Sequence, residues 1–303
     1  MIRPRALAPG DTVGIVAPCL APPAEHMEVS AEHLRQKGFK VKYGENLFQS
    51  TYGFAASPEE RAGDFNAMVK DPEVSMIFFG GGEVGNEILP LIDYEAVRNH
   101  PKIMMSYSDG TSVLNAVTSC SGLVTYYGQS PRTFYDLTEY NFSCFQNALM
   151  KAEPYEFTPN SRWEVLHPGK CEGILTGGYL LNYALLQNSR YFRTQSGKKY
   201  ILFLEDHVMF NQPAAVSRYF SHMEQAGLFD LASGLIWGHY AEEEHPEIDE
   251  ILLRVAGRHR IPTVRCGDFG HGENNAVLPV GIAAALDADK KTLRFKESPV
   301  LPR

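Results

Sequence analysis

The sequence has no surplus of positive charge: 28 Lys and Arg stand against 36 Asp and Glu, a net charge of −8. No Lys/Arg run is present that would track a phosphate backbone, so nucleic acid is not an expected partner. A long apolar run is also missing. The opening segment MIRPRALAPGDTVGIVAP breaks at Pro9, Gly10 and Asp11 before a signal-peptide core or membrane anchor develops, which points to a cytoplasmic protein without membrane attachment. The five cysteines, Cys19, Cys120, Cys144, Cys171 and Cys266, are odd in number, scattered and without CxxC spacing. That pattern supports neither a disulfide framework nor a zinc site; reduced, mostly buried thiols are expected. The run HYAEEEH (239–245) gathers metal-capable side chains without HExxH spacing and reads as a solvated acidic loop, so no metal is expected.

What is there is enough for two lobes: 303 residues, 44% of them hydrophobic. The first half alternates β-branched or aromatic runs with amphipathic stretches, the pattern of βαβ units around a parallel sheet. Strands are expected at Thr12–Pro18, Phe39–Tyr43, Ser75–Gly80, Lys102–Tyr107 and Leu123–Tyr127. Helices are expected over Ala24–Lys37, with Met27, Ala31 and Leu34 on one face, and over Pro58–Lys70, with Ala62, Phe65, Met68 and Val69 inward. The Pro-containing stretch 151–170 interrupts this rhythm and reads as a linker, or as the opening of a second domain, between a first domain (1–150) and a second (171–303). In the second, GKCEGILTGG suggests a hairpin, KYILFLED and SGLIWGHY strands, and Pro213–Ala226 and Pro246–Arg258 helices. VGIAAALDADKKTLRF closes the chain as two paired strands around an Asp-Ala-Asp-Lys turn.

The segment SYSDG, Ser106 to Gly110, sits where a strand becomes a helix and is one residue away from the G-x-S-x-G nucleophile elbow. Such a turn lifts the middle hydroxyl out of the backbone and aims the next N–H at a developing oxyanion. Ser108 is therefore the candidate nucleophile and Ser106 the weaker one; a plain helix cap at Ser108 or Asp109 fits the same residues. A serine needs a base and a group to orient it. Of ten histidines, His271 lies in the Gly-rich GDFGHGENNAVLPVG, whereas His33, His222 and His259 lie on helical stretches as solvated side chains. Glu205 and Asp206 end an apolar strand, where a carboxylate can fix an imidazole tautomer; a strand-end salt bridge is the alternative for Glu205. Gly80, Gly81 and Gly82 follow a strand and precede a short helix. With no P-loop and no G-x-G-x-x-G there, the choice lies between phosphate binding and an oxyanion hole, and no dinucleotide cofactor is expected.

Four separated blocks, APGDTVGIVAP, GGGEVGNEILPLIDYE, SYSDGTS and the pair ILFLED with GHGENNAVLPVG, together resemble the LD-carboxypeptidase family of serine peptidases, which includes muramoyltetrapeptide carboxypeptidases and microcin C immunity-type hydrolases. The resemblance spans nearly the whole chain. It implies a flavodoxin-like parallel-sheet N-terminal domain carrying the nucleophile and a smaller β-rich C-terminal domain. It further implies a Ser108, Glu205, His271 triad, an oxyanion hole from the N–H of Asp109 and of Gly81 or Gly82, and a homodimer without cofactor or metal. The sequence departs from the family pattern where Ser106 replaces a glycine and where Tyr127-Gly128-Gln129 replaces Tyr-Gly-Pro. The expected substrate is a small peptide from peptidoglycan, from which a terminal D-amino acid is released. The alternatives are a peptidyl or aminoacyl adenylate, for which a stacking aromatic such as Trp163 would be needed, and ligand binding on a scaffold impaired by Ser106.

Overall fold

A computed structural model describes residues 1–206, 212–238 and 245–303; most of HYAEEEH lies outside the described residues. The first region runs β1 (Thr12–Val16), α1 (Ala24–Gln36), β2 (Lys40–Tyr43), α2 (Pro58–Lys70), β3 (Val74–Phe79), a 3-10 turn (Gly85–Leu91), α3 (Tyr94–Asn99), β4 (Ile103–Ser106), α4 (Gly110–Ser121), β5 (Thr125–Tyr127), α5 (Pro131–Tyr135) and α6 (Glu139–Leu149). The second runs β6 (Glu164–His167), β7 (Lys170–Tyr179), α7 (Leu180–Leu186), β8 (Tyr200–Glu205), α8 (Pro213–Gln225), α9 (Leu228–Leu231), β9 (Ala232–Gly238), α10 (Pro246–His259), β10 (Thr263–Cys266), β11 (Leu278–Val280), β12 (Ala283–Asp287) and β13 (Thr292–Phe295).

Local chemistry explains the helices. In α2, Ser57 and Glu60 form a reciprocal capping box, Pro58 follows the cap, and Ala62, Phe65, Met68 and Val69 are buried. Burying a side chain of that kind contributes about 1.5–3 kcal/mol, so the amphipathic period decides which face turns inward. On α1, Met27, Ala31 and Leu34 are inward. The strands β3 and β4 are nearly all apolar because helices cover both faces of their sheet.

β2, β1, β3, β4 and β5 pair in parallel in that order, the flavodoxin-like order, and β11 adds an antiparallel sixth strand beyond β5. The second sheet has seven strands, β13-β12-β7-β8-β9-β10-β6, with β7 to β10 parallel. Helices α7, α8 and α10 pack with this sheet, and a second core gathers Leu202, Leu204, Phe220, Trp237 and Leu252. A larger core joins the two sheets, running from Ile15, Phe78 and Met105 through Tyr127 to Leu175, Phe203 and Phe269.

One local expectation is corrected. GKCEGILTGG (169–178) lies almost wholly in one ten-residue strand, β7 (Lys170–Tyr179), rather than in a hairpin. Its glycines mark close approach: a Cβ on Gly177 would lie 1.7 Å from the Phe203 carbonyl oxygen of the adjoining strand. Stretch 151–170 contains β6, which pairs antiparallel with β10, and Phe157 donates its N–H to the Leu293 carbonyl, so it pairs with strands of the second sheet. The cysteines are free; Cys19 and Cys266 are buried and the other three half-buried. No described helix is long and apolar enough to cross a membrane.

Candidate active site

Strand β4 ends at Ser106, and the chain turns through Tyr107 and Ser108 into α4. Ser108 holds φ +54°, the left-handed region that a side chain adopts only when its surroundings hold it there. The turn is closed by Gly110 donating to the Tyr107 carbonyl and Thr111 to that of Ser108. This strain places the Ser108 hydroxyl 2.9 Å from His271 Nε2, while His271 Nδ1 lies 2.8 Å from Glu205 Oε2. Glu205 comes from the end of β8 and His271 from the loop between β10 and β11. The structure therefore brings the three residues into one chain of hydrogen bonds, though 163 and 66 positions separate the bonded pairs.

Glu205 is only 1% exposed, so its charge acts through little water. Burial alone would hold His271 neutral; the charge and hydrogen bond of Glu205, with Asp206 adding to them, outweigh it and raise the imidazole pKa. Tyr107 and Tyr179 flank the ring, at centroid distances of 5.2 and 5.1 Å. Asp206, the other acidic residue at this strand end, bonds the histidine through its backbone and not through its carboxylate. Its two oxygens are buried without a hydrogen-bond partner, and desolvation, then the neighbouring Glu205 charge, push its pKa up to about 7.

Beside the elbow runs the loop after β3. A Cβ on Gly81 would lie 2.5 Å from the Ser108 Cβ, so only glycine lets that backbone approach the hydroxyl, whereas Gly82 faces Leu20. The Asp109 carboxylate anchors the same loop: it accepts from the Gly85 N–H at 2.5 Å and from the Asn182 side-chain amide. Burial raises the Asp109 pKa against these donors. Ser106 proves compatible with the turn. Its hydroxyl donates to the Gly80 carbonyl at 3.2 Å and packs where a Cβ on Gly110 would be, so it faces away from His271.

Two residues escaped the sequence reading. The Tyr127 hydroxyl, fully buried at the end of β5, accepts from the Ser108 N–H at 3.1 Å and donates to Glu205 Oε1, closing a ring of contacts through the elbow, the imidazole and the carboxylate. Gln129, standing where the family pattern has proline, donates to the carbonyls of Asn141 and Asn275 at 2.7 and 2.8 Å and so ties down the loop that carries His271. Trp163 lies elsewhere. It is 3% exposed, packs on Phe157 and donates to Asp268 at 2.6 Å, so it has no face to offer a nucleobase. His33 and His259 are bonded and partly buried rather than solvated, on the Phe134 carbonyl and on Glu224. Among the described residues no group of His, Cys, Asp and Glu is arranged to hold a metal ion.

A flavodoxin-like sheet with a serine at the strand-to-helix turn after β4, faced by a histidine and a carboxylate from a second α/β domain, defines a two-domain α/β protein with a serine-centred site. The chain matches the LD-carboxypeptidase N-terminal domain over residues 13–128 and the LD-carboxypeptidase C-terminal domain over residues 172–286, and it belongs to that family. It is 28% identical over 303 residues to the "Probable murein peptide carboxypeptidase" of Bacillus subtilis (strain 168), covering 96% of this chain and 93% of that one. It is likewise 28% identical over 331 residues to the microcin C7 self-immunity protein MccF of Escherichia coli, with 96% and 94% covered. A solved structure of MccF in complex with glutamyl sulfamoyl guanosine superposes with a TM-score of 0.89 at 26% identity, over 99% of this chain and 100% of that one.

Proposed function

We propose that the protein is a serine hydrolase of amide bonds that acts as an L,D-carboxypeptidase, releasing a terminal D-amino acid from peptidoglycan-derived peptides in the cytoplasm. The observation that carries this reading is the continuous arrangement of Ser108 Oγ, His271 and Glu205 at 2.9 and 2.8 Å on a strained turn. In this mechanism His271 Nε2 takes the hydroxyl proton as Ser108 Oγ attacks the scissile carbonyl, and Glu205 stabilises the imidazolium that forms. The oxyanion receives the N–H groups of Asp109 and Gly81, held ready by the Asp109 carboxylate anchor. The imidazolium then gives its proton to the departing amine, leaving an ester on Ser108. Water, deprotonated by the same histidine, cleaves that ester and restores the serine. Every proton moved is one that His271 accepts and returns.

A second reading, hydrolysis of peptidyl or aminoacyl adenylates, is favoured by the likeness to MccF, whose solved complexes include aspartyl sulfamoyl adenosine. The same triad serves both, because each substrate presents an acyl group to a leaving group. The buried position of Trp163 leaves it unable to serve as the stacking aromatic that such a substrate would need. The test is purified protein given a tetrapeptide ending in D-alanine and an aminoacyl adenylate analogue in competition, with fluorophosphonate labelling as a check on the nucleophile. Faster kcat/KM on the peptide and labelling of Ser108 are expected; preference for the adenylate would transfer the conclusion to the second reading, and absence of both labelling and turnover would remove it.

A further inference from the structure

Two cavities meet at the elbow. One, of about 230 Å³, is mostly apolar and runs from Gly81 along Leu20, Pro22 and Met27. The other, of about 590 Å³, is lined by polar and apolar groups about equally and reaches from His271 past Asn141 and Asn275. Tyr107, Ser130 and Arg132 line both, and among the described residues Arg132 is the one Lys or Arg side chain on either wall. Its charge is near enough to Tyr107 to oppose the upward pull of burial and Glu205 on that phenol, and the Tyr107 ring lies 5.2 Å from the imidazole. The guanidinium therefore stands one aromatic ring away from the reacting groups.

The arginine is held in place but only weakly paired. Its guanidinium lies 4.2 Å from the Tyr135 ring centroid, and α5 beneath it is fixed by the Ser130 cap with Pro131 and Phe134 buried. Yet its ion pair is with Asp136 at 3.0 Å, on side chains 47% and 68% exposed, an arrangement that contributes little and is readily exchanged. Among the described residues, Tyr107, Asp136, Glu273, His26 and His271 are the other charged or titratable groups facing these cavities.

Resting on the hydrolase reading above, we infer that Arg132 binds a substrate carboxylate beside the scissile bond. A carboxylate entering this half-enclosed cleft without a donor would be desolvated and unpaired. A stacked guanidinium offers it two parallel N–H bonds with little further ordering. Two carboxylates could be that ligand: the terminal one of the departing residue, or an acidic side chain on the acyl side.

The experiment uses purified protein, Arg132→Ala and Arg132→Lys, with peptides whose terminal carboxylate and acyl-side side-chain carboxylate are separately free or amidated. For the carboxylate that Arg132 binds, Arg132→Ala should lower kcat/KM by roughly ten- to a hundred-fold, mainly through KM, and leave the matching amide unchanged. The wild-type preference for acid over amide then disappears, and the peptide pair that shows this identifies the source. Arg132→Lys should recover only part of the preference. An equal loss on every peptide, or no loss, overturns the assignment while the rate of fluorophosphonate labelling stays normal. A wild-type protein that neither labels nor cleaves any of the peptides would overturn the hydrolase reading itself, and the Arg132 assignment with it.

Discussion

Replacing Tyr127 with phenylalanine removes one oxygen from a fully buried position and tests whether the ring of contacts around the elbow matters. That oxygen accepts from the Ser108 N–H at 3.1 Å and donates to Glu205 Oε1. Without it, a buried N–H and one oxygen of a carboxylate that is 1% exposed lose their partners. An unpaired buried group costs about 1–3 kcal/mol and a bond to a charged group about 1.5–3 kcal/mol. The loss should therefore be about 3–4 kcal/mol in urea unfolding, large against the ~5–15 kcal/mol typical of a folded protein but not enough to abolish folding. The catalytic consequences are separable from it. A Glu205 carboxylate with one donor fewer holds the imidazolium more strongly, so the His271 pKa, already raised, should rise further. Because only neutral imidazole accepts the serine proton, the acid limb of kcat/KM should move to higher pH, and kcat should fall by roughly ten- to a hundred-fold as the turn loosens. A Tyr127→Phe enzyme with the wild-type pH profile and kcat, whatever its stability, would refute the reasoning.

Other outcomes follow from the same geometry. Ser108→Ala should abolish turnover and fluorophosphonate labelling, whereas Ser106→Ala should keep most of both, because the Ser106 hydroxyl faces Gly80 rather than His271; measured rates in the reverse order would sink the elbow assignment. Glu205→Gln should lower kcat by as much as about four orders of magnitude, as an amide does in the analogous position of a Ser-His-Asp triad, and near-normal turnover would remove Glu205 from the triad. Asp206→Asn should move the acid limb the opposite way from Tyr127→Phe, to lower pH, since the Asp206 charge helps raise the His271 pKa. Its folded pKa of about 7 exceeds the ordinary 3.8, so the folded state holds the proton more tightly and wild-type stability should decline as pH rises between those values, a decline that calorimetry of the Asn variant should lack. Trp163→Phe should lower Tm by orphaning one oxygen of the buried Asp268 yet leave the ratio of peptide to adenylate cleavage unchanged; a shift in that ratio would return Trp163 to the site.

The parts of this site that were legible in the sequence lie where chemistry and pattern coincide. Ser108 follows an apolar strand and precedes a helix, Glu205 ends a run of five apolar residues, and His271 sits among glycines with no core to fill. Tyr127 was legible only as a strand aromatic, because the task of its hydroxyl is set by residues 19 and 78 positions away. β6 hid inside a Pro-containing stretch for the same kind of reason: its pairing, Val165 with Val264, is supplied by a strand almost a hundred residues later. The glycines of β7 read as turn formers, whereas they serve the close packing of neighbouring backbones, a demand that leaves no trace in local pattern.

That the proposed nucleophile comes from one domain and its proposed base and carboxylate from the other raises the question of what keeps them in register to a few tenths of an ångström. A hinge between the domains would cost the histidine its contact at each excursion. The structure instead interlocks them. β11, from the C-terminal half of the chain, completes the N-terminal sheet by pairing Leu278 with Tyr127, the residue whose hydroxyl touches both Ser108 and Glu205. Seven residues before that pairing lies His271, and between them Asn275 receives the amide of Gln129 while its own N–H donates to Asn141. Facing the other way, Asn115 and Thr111 of α4 bond to the Gly177 carbonyl and the Tyr179 N–H of β7, and one apolar core runs through both sheets. Each member of the proposed triad is therefore fixed by contacts that cross the domain boundary, so the site is set by the same packing that holds the two domains together. Disrupting the β11–β5 pairing, for example with Val280→Pro on the added strand, should accordingly reduce phosphonate labelling of Ser108 before it unfolds either sheet.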